Sequence, residues 1–402
     1  MKRLALLICL FATPVLAQME RPVQRAVTLD AWQDGFRVKA LAAGIPATVF
    51  DAAFAPVRYN AGTRAQDANQ SEFVRPIWAY LDDAVSDRRV ATGRQKAVAL
   101  QKDLQRISRK YGVEPEILLA IWGMETSFGG FRGNTYTIEA LANAAHDGRR
   151  QVFAEAELIA ALRILASGVV TPDHMLGGWS GAMGDTQFMP TTYMAYAVDG
   201  NGDGRRDFWS DDPLDALAST ANYLRALGWQ KGQPWGLEVV LPEGFDYALT
   251  GEHDTRNTRF WTRKGVRLAD GGALPDHDAV ALLAPAGARG PVFAVFPNFQ
   301  VIRQYNMSVS YSIAVGHLAD RIGGAGGFSA GWPRGDTPLT RAQVLDIQRA
   351  LMAQGLDTGG ADGRIGPKTV EAVQAWQRAN GMRADGYATV GVWRALRQPD
   401  GG

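Results

Sequence analysis

Glu114-Pro115-Glu116-Ile117-Leu118-Leu119-Ala120-Ile121-Trp122-Gly123-Met124-Glu125-Thr126-Ser127-Phe128-Gly129-Gly130 is the stretch on which the reading of this chain turns. Pro115 stands at a tolerated first-turn position, and the acids beside it suit the positive end of a helix dipole. The apolar run predicts a helix, and the pair Gly129-Gly130 predicts its end. At helical spacing Glu125 shares a face with Leu118, Ile121 and Trp122. A carboxylate on a face that should be buried is costly unless it is neutral or hydrogen-bonded. Desolvation raises a carboxyl pKa, which is how a Glu stays protonated to act as an acid near neutral pH. Taken alone, the pattern leaves open a structural acid bonded to backbone donors.

Outward from that stretch, Leu29 to Leu227 is mostly helical in pattern. Val98, Leu100, Leu104 and Ile107 recur near a 3.6 period over Arg94–Tyr111, and Phe153–Leu165 repeats the habit. Leu214–Leu227 does so too, after the helix-start pair Asp212-Pro213. From Leu237 to Phe299 the character changes. Short β-like runs, Leu237–Leu241, Ala279–Leu283 and Val292–Phe296, are separated by Gly, Pro and Asp. A β-rich subdomain over 236–300 is expected, with a helical Val301–Ile322 packing back on the helical part. Residues 323–337, dense in Gly with two prolines, read as a linker. Beyond it, 338–398 is a separate small helical module, with Val344, Ile347 and Leu351 on one stripe and Val370, Val373 and Trp376 on another.

Lys2 and Arg3 precede the apolar run Leu4–Leu16, and Val15-Leu16-Ala17 offers the small residues that a signal peptidase reads. Residues 1–17 are therefore expected to be a signal peptide, too short to span a bilayer. The only cysteine, Cys9, lies inside it and follows Ile8, which is too large for a lipid-anchoring box. The mature chain is then expected to carry no thiol, disulfide or thiolate metal site. Its net charge moves from +1 to −1 on losing Lys2 and Arg3.

A chain of 402 residues suggests two or three domains. With 46% hydrophobic and 21% charged residues it is globular in composition, which excludes wholesale disorder. Lys and Arg number 42 against 41 Asp and Glu, so no nucleic-acid partner is indicated. Eleven Trp and eleven Tyr offer stacking surfaces that suit sugars. His146, His174, His253, His277 and His317 form no metal-ligand spacing, and no Gly-x-Ser-x-Gly elbow occurs, which argues against a zinc amidase or a serine hydrolase.

Ala120–Gly129, followed by Gly181-Ala-Met-Gly-Asp-Thr-Gln-Phe-Met-Pro190, resembles the lytic murein transglycosylases of the B type, the membrane-bound lytic transglycosylase B family. Asp199–Gly204, Ala221-Asn-Tyr-Leu224 and Gln304-Tyr-Asn306 with Tyr311 match in family order, so the likeness covers Leu29 to Ile322. The resemblance implies a mainly α (α+β) protein, with a lysozyme-like helical catalytic core and a small β-rich subdomain, over 18–322. It implies cleavage of peptidoglycan between N-acetylmuramic acid and N-acetylglucosamine, with Glu125 as acid and then base. The muramoyl C6 hydroxyl would close onto C1 and leave a 1,6-anhydromuramoyl end. Two-carboxylate glycosidases need a second acid within about 5–10 Å, and none stands out near Glu125 in sequence.

By the same resemblance Gln187 and Asn306 lie near the reacting sugar, and Tyr80, Tyr223, Tyr305 and Tyr311 line the glycan cleft. Arg149 and Arg150 match basic residues suited to carboxylates of the strand. Met183, Phe188 and Met189 read equally well as core. The chain departs from the pattern at Gly178, where relatives often carry a serine whose hydroxyl lies near the acid. Its serine is Ser180, which either does not substitute or reaches the site by a local shift.

Asp199-Gly-Asn201-Gly-Asp203-Gly204-Arg205 begins like a calcium loop, with oxygen ligands at positions 1, 3 and 5, Gly at 6 and a carbonyl at 7. Ser210 stands where a bidentate Glu is usual, and the family points to Asp215 instead. The residues leave open a structural calcium or a metal-free turn held by side-chain bonds. No cofactor is expected for catalysis.

Leu345–Leu351, Asp362-Gly-Arg-Ile-Gly-Pro-Lys-Thr369, Ala372–Gln377 and Asp385-Gly386 resemble a small peptidoglycan-binding domain of three helices. Its expected work is to hold the enzyme on the wall through the linker. The reading is then a periplasmic, soluble, monomeric enzyme whose partners are glycan strands and, beyond them, cell-wall synthesis proteins. A hydrolytic muramidase and a catalytically silent wall-binding scaffold stand as alternatives.

Overall fold

A computed structural model describes residues 28–60, 75–148 and 150–397. The expected signal peptide, Cys9 and Arg149 lie outside the described residues. Among the described residues no helix is long and apolar enough to cross a membrane.

The stretch that opened the sequence reading is the central helix, Pro115–Thr126, with Glu114 as N-cap and Pro115 in its first turn. Ile117 to Gly123 are buried on every side, so the helix is enclosed rather than half-exposed. The helices Asp87–Ala99, Gln101–Tyr111, Leu214–Ala226 and Val309–Ile322 pack around it. Gly93 lets two of these helices approach closely, since a Cβ there would lie 2.5 Å from Ile322 Cδ1. Two long helical patterns divide in the structure. Arg94–Tyr111 breaks at Leu100, and Val301–Ile322 breaks between Tyr305 and Val309, where Asn306 falls.

The helix end differs from expectation. The glycine pair does not stop it: Ser127 (φ 51°) and Phe128 (φ 62°) turn left-handed before Gly129 (φ 81°). Left-handed residues with a Cβ carry a cost of roughly 1–2 kcal/mol each. Burial offsets it. The Phe128 ring folds back edge-on to Trp122, with centroids 5.7 Å apart, into space that a side chain on Gly123 would fill.

β1 (Thr135–Tyr136) and β2 (Leu176–Gly177) pair near this turn. The β-rich segment holds β3 (Gly236–Val240), β4 (Arg267–Leu268), β5 (Ala281–Leu283) and β6 (Val292–Val295), antiparallel in the order β4-β3-β6-β5. Side chains alternate across a strand. Val292 and Ala294 of β6 therefore enter the segment's own core with Trp261 and Leu282, while Phe293 and Val295 enter the main helical core.

The Gly-rich linker is no free tether. Phe328 stacks on His317 with centroids 3.9 Å apart, and Trp332 packs near Trp78 and Phe293. The Ser329 and Ala330 N–H groups each donate to the Glu238 carboxylate at 2.7 Å, and Arg334 pairs with Asp82. Two aromatic anchors turn a flexible composition into a strap.

The C-terminal module has three helices, Arg341–Ala353, Pro367–Ala379 and Val390–Arg397, the first opened by a Thr340/Gln343 capping box. Ile347, Leu351, Val373, Trp376 and Val392 form its core. It sits against the β-rich segment, where Gln374 donates to the carbonyls of Tyr247 (3.2 Å) and Thr250 (3.1 Å).

Candidate active site

Glu125 lies half-buried in the last turn of its helix. Tyr311 Oη donates to Glu125 Oε1 at 2.6 Å, and Tyr311 is itself buried in the helix that begins at the break after Asn306. Ser308 caps that helix by accepting from the Tyr311 N–H. Asn306 Oδ1 accepts from the Ser308 N–H at 3.0 Å. Tyr305 donates to the Thr186 carbonyl at 2.5 Å. Burial, and next the Glu125 charge, push the phenols of Tyr305 and Tyr311 well above their ordinary range, so both stay protonated donors.

The structure thus gathers Glu125, Tyr305, Tyr311 and the Asp185–Gln187 loop. Tyr223 forms one wall: its ring lies 4.7 Å from Tyr196, 5.7 Å from Phe188 and 5.8 Å from Tyr305. Tyr80 is buried beside the helical core and lies close enough to Tyr311 to act on its phenol. Met183 and Phe188 are core, while Met189 is half-buried against it. Arg150 is exposed at the start of the helix Gln151–Ala166, where its carbonyl accepts from the Ala154 N–H.

Ser180 does not move in to replace the serine missing at Gly178. It is exposed on the tight turn closed by the Gly181 N–H on the Gly178 carbonyl. What lies against Gly178 is Gln187, whose Oε1 would be 2.8 Å from a Cβ placed there.

One acid escaped the sequence reading. Asp185 is fully buried, accepts from Trp122 Nε1 at 2.9 Å and pairs with Arg132 at 3.0 Å. Burial pushes its carboxyl up, against the pull of Arg132 and Trp122. With its oxygens held by those two donors it is a brace, not a second catalytic carboxylate. The signal available in sequence was one acid inside an otherwise apolar and glycine-rich motif.

The loop after the Tyr196 helix carries Asp199, Asn201 and Asp203 at alternate positions, with Gly202 and Gly204 left-handed on either side of Asp203. Asp199 accepts from the Gly202 (2.6 Å) and Gly204 (2.8 Å) N–H groups, which hold its carboxyl below the usual range. Arg205 donates outside the loop, to the Val169 carbonyl. Two carboxylates, a carboxamide and nearby carbonyls are donors of the type a hard divalent cation takes. Asp215, expected as the closing ligand, has another task. It is buried, and its two oxygens accept from the N–H groups of Gly200, Asn201 and Asp207. Among the described residues no three His, Cys, Asp or Glu side chains converge as a metal cluster.

Residues 28–320 match the transglycosylase SLT domain, and residues 340–396 match the putative peptidoglycan binding domain. Membrane-bound lytic murein transglycosylase B of Escherichia coli (strain K12) is 34% identical over 233 residues, which are 54% of this chain and 60% of that protein. The chain therefore spans about three fifths of that relative's length. The crystal structure of SltB3 from Pseudomonas aeruginosa in complex with NAG-anhNAM-pentapeptide is 46% identical. It covers 92% of this chain and 100% of its own, with a TM-score of 0.88. The Escherichia coli lytic transglycosylase Slt35 in complex with calcium is 28% identical, with a TM-score of 0.64 over 72% of this chain and 92% of its own. A buried helix with Glu125 in its last turn, a tyrosine donating to that acid and matches along most of the chain converge: this protein belongs to the SLT-domain lytic transglycosylases.

Proposed function

We propose that the protein cleaves the β-1,4 bond between N-acetylmuramic acid and N-acetylglucosamine in peptidoglycan and leaves 1,6-anhydromuramoyl ends. The observation that carries the proposal is the 2.6 Å hydrogen bond from Tyr311 to Glu125, which fixes one oxygen of a single half-buried carboxyl. Glu125 gives its proton to the glycosidic oxygen as the C1–O bond breaks. The resulting carboxylate then takes the proton of the C6 hydroxyl while that oxygen bonds to C1. No water is consumed, and the acid ends in the form in which it began. Tyr311 orients the carboxyl throughout, and the carboxamides of Asn306 and Gln187 supply polar contacts to the positively charged sugar. Support comes from SltB3, whose structure holds an anhydro-ended fragment. Digesting purified sacculi with the protein and with Glu125→Gln tests the reading. Muropeptides one water lighter than muramidase products are expected, and the variant should release none. Full-mass reducing ends would make the protein a hydrolase, and sacculi that bind it without being cut would make it a scaffold.

The C-terminal module serves this reaction by adding contacts to the glycan strand, and the Leu4–Leu16 segment by exporting a soluble periplasmic monomer. Calcium belongs in the Asp199–Arg205 loop, held by Asp199, Asn201, Asp203 and the Arg205 carbonyl, as a structural ion that supplies no step of the chemistry. Slt35, solved with calcium, supports this. A melting temperature that rises with added calcium, and does not in Asp203→Ala, is the expected result; no response to calcium would refute it.

A further inference from the structure

The β-rich segment carries an open cavity of about 680 Å³ that shares no lining residue with the Glu125 cleft. Its walls come from two places. The helix Thr258–Arg263 supplies Arg259, Thr262 and Arg263, and the chain between β4 and β5 supplies Leu274 and Asp276. Arg259 and Arg263 stand one helical turn apart on one face. Trp261 points the other way and is fully buried, its indole N–H on the Val280 carbonyl at 2.8 Å. The two walls are locked together on either side of Asp276. Thr258 Oγ1 donates to the Pro275 carbonyl at 2.9 Å and accepts from the His277 N–H at 2.9 Å, and the Thr258 N–H donates to the His277 carbonyl at 2.8 Å.

The charges on this fixed frame are unspent. Residues 256–267 hold Arg256, Arg259, Arg263, Lys264 and Arg267 and no acid, although the chain as a whole is nearly neutral. Arg256 pairs with Asp254 and lies over the Phe260 ring, and Lys264 lies over the same ring. Arg259 and Arg263 are exposed and have no acid, carbonyl or ring as partner among the described residues. Asp276 is exposed too and has no donor, so it meets neither guanidinium although it lines the same cavity. Like charges one turn apart repel each other. The site therefore offers two planar cations and, apart from them, one anion.

A ligand that answers all three brings carboxylates to the guanidinium pair and an ammonium to Asp276. The glycan of peptidoglycan has no such ammonium, but its peptide stems carry free carboxylates and, before cross-linking, the side-chain amine of a diamino acid. We propose that this cavity binds the uncross-linked peptide stem of peptidoglycan, with Arg259 and Arg263 on its carboxylates and Asp276 on its free amine. The inference rests on peptidoglycan as the substrate, as read above, and adds the peptide to the glycan as something the enzyme recognises.

The experiment titrates the full chain with the stem tripeptide of alanine, γ-linked glutamate and diaminopimelate, acetylated at its first residue so that its one amine is that of the diamino acid, and follows binding by calorimetry. Arg259→Gln/Arg263→Gln should weaken binding about tenfold or more, the scale of lost hydrogen bonds between charged groups. Asp276→Asn should weaken it about threefold, as for an exposed ion pair. Acetylating the remaining amine should cost the parent the same factor and cost Asp276→Asn nothing. The replaced side chains are all exposed, so the variants should melt with the parent. No binding by the parent, or binding within twofold of the parent in the double arginine variant, overturns the proposal. Inorganic phosphate that binds as tightly as the peptide, and is lost in the same variant, overturns the peptide as ligand and leaves a plain anion site. Digestion of sacculi by the same preparation reports the cleavage separately. Anhydro-ended products without peptide binding overturn this inference alone, and peptide binding without products overturns the reading of the Glu125 cleft alone.

Discussion

Two kinds of glutamine hold loops in this protein, and they differ in what they leave over. In the C-terminal module Gln348 donates to Asp362, the Arg364 carbonyl and Thr369, and accepts from the Gly363 N–H at 2.8 Å. Gln377 treats the second Asp-Gly turn the same way, donating to Asp385 and accepting from the Gly386 N–H. Both ends of each carboxamide are consumed, and both residues are buried. Gln187 is half-buried and spends its nitrogen on Arg132 and Gly184, while its oxygen faces Gly178. Satisfied polar groups stabilise a fold, whereas a fixed group with one end unspent is pre-organised for a ligand.

The contrast predicts opposite penalties. Glu125→Gln should reduce glycan cleavage by about a thousandfold or more, as expected for a sole general acid and base, while its melting temperature stays at or above that of the parent. A large drop in melting temperature would mean that the acid is part of the fold's own satisfaction, and the contrast would fail. Gln348→Ala should do the reverse. It strands the Gly363 N–H and takes a donor from Asp362, the Arg364 carbonyl and Thr369, so the module should lose about 2 kcal/mol in denaturant unfolding. The rate on short soluble glycan fragments should not change.

Between these lies a pH effect centred on the strap. His317 is buried against Phe328, and burial, with Arg321 adding to it, lowers its pKa to about 4. The unfolded chain titrates near 6.5, so below that pH it binds a proton that the folded protein refuses. The stability is complete above pH 6.5 and is lost as pH falls toward 4, by about 3 kcal/mol at most. Chemical unfolding between pH 7 and 4 checks this. His317→Phe should flatten the slope, and an unchanged slope would assign the acid sensitivity to other groups.

Much of this was legible because local pattern and tertiary need agreed. The enclosed Pro115–Thr126 helix followed from its apolar run and its proline start, and the stripes of the C-terminal helices became that module's core. The family motifs pointed to Glu125, Tyr305, Tyr311 and Gln187; in the structure Tyr311 donates to Glu125, and Tyr305 to the Thr186 carbonyl beside Gln187. What stayed hidden depended on partners distant in sequence. Gly123 and Gly93 look like helix breakers until Phe128 and Ile322 are seen against them. Asp185 reads as a polar loop residue until Arg132 and Trp122 close on it. The strap reads as flexible because composition counts its glycines and overlooks what Phe328 and Trp332 find to pack on.

The smallest predicted effect concerns how the C-terminal module is docked. Arg378 pairs with Asp246 at 3.1 Å across the junction, but both side chains are more than half exposed. Exposed pairs contribute about 0.5 kcal/mol or less and fade with salt. Gln374, one helical turn earlier, is buried and donates to the Thr250 carbonyl, and to a Tyr247 carbonyl that also accepts from Thr250. Limited proteolysis of residues 323–337 reads the difference. Arg378→Ala should be cut at nearly the parent's rate at any salt concentration, and Gln374→Ala several times faster, because the variant takes a buried donor from the Thr250 carbonyl at the junction. Equal rates for the two variants would mean that satisfied polar groups do not govern the docking, and the contrast between the two kinds of glutamine would stop at the module's own core.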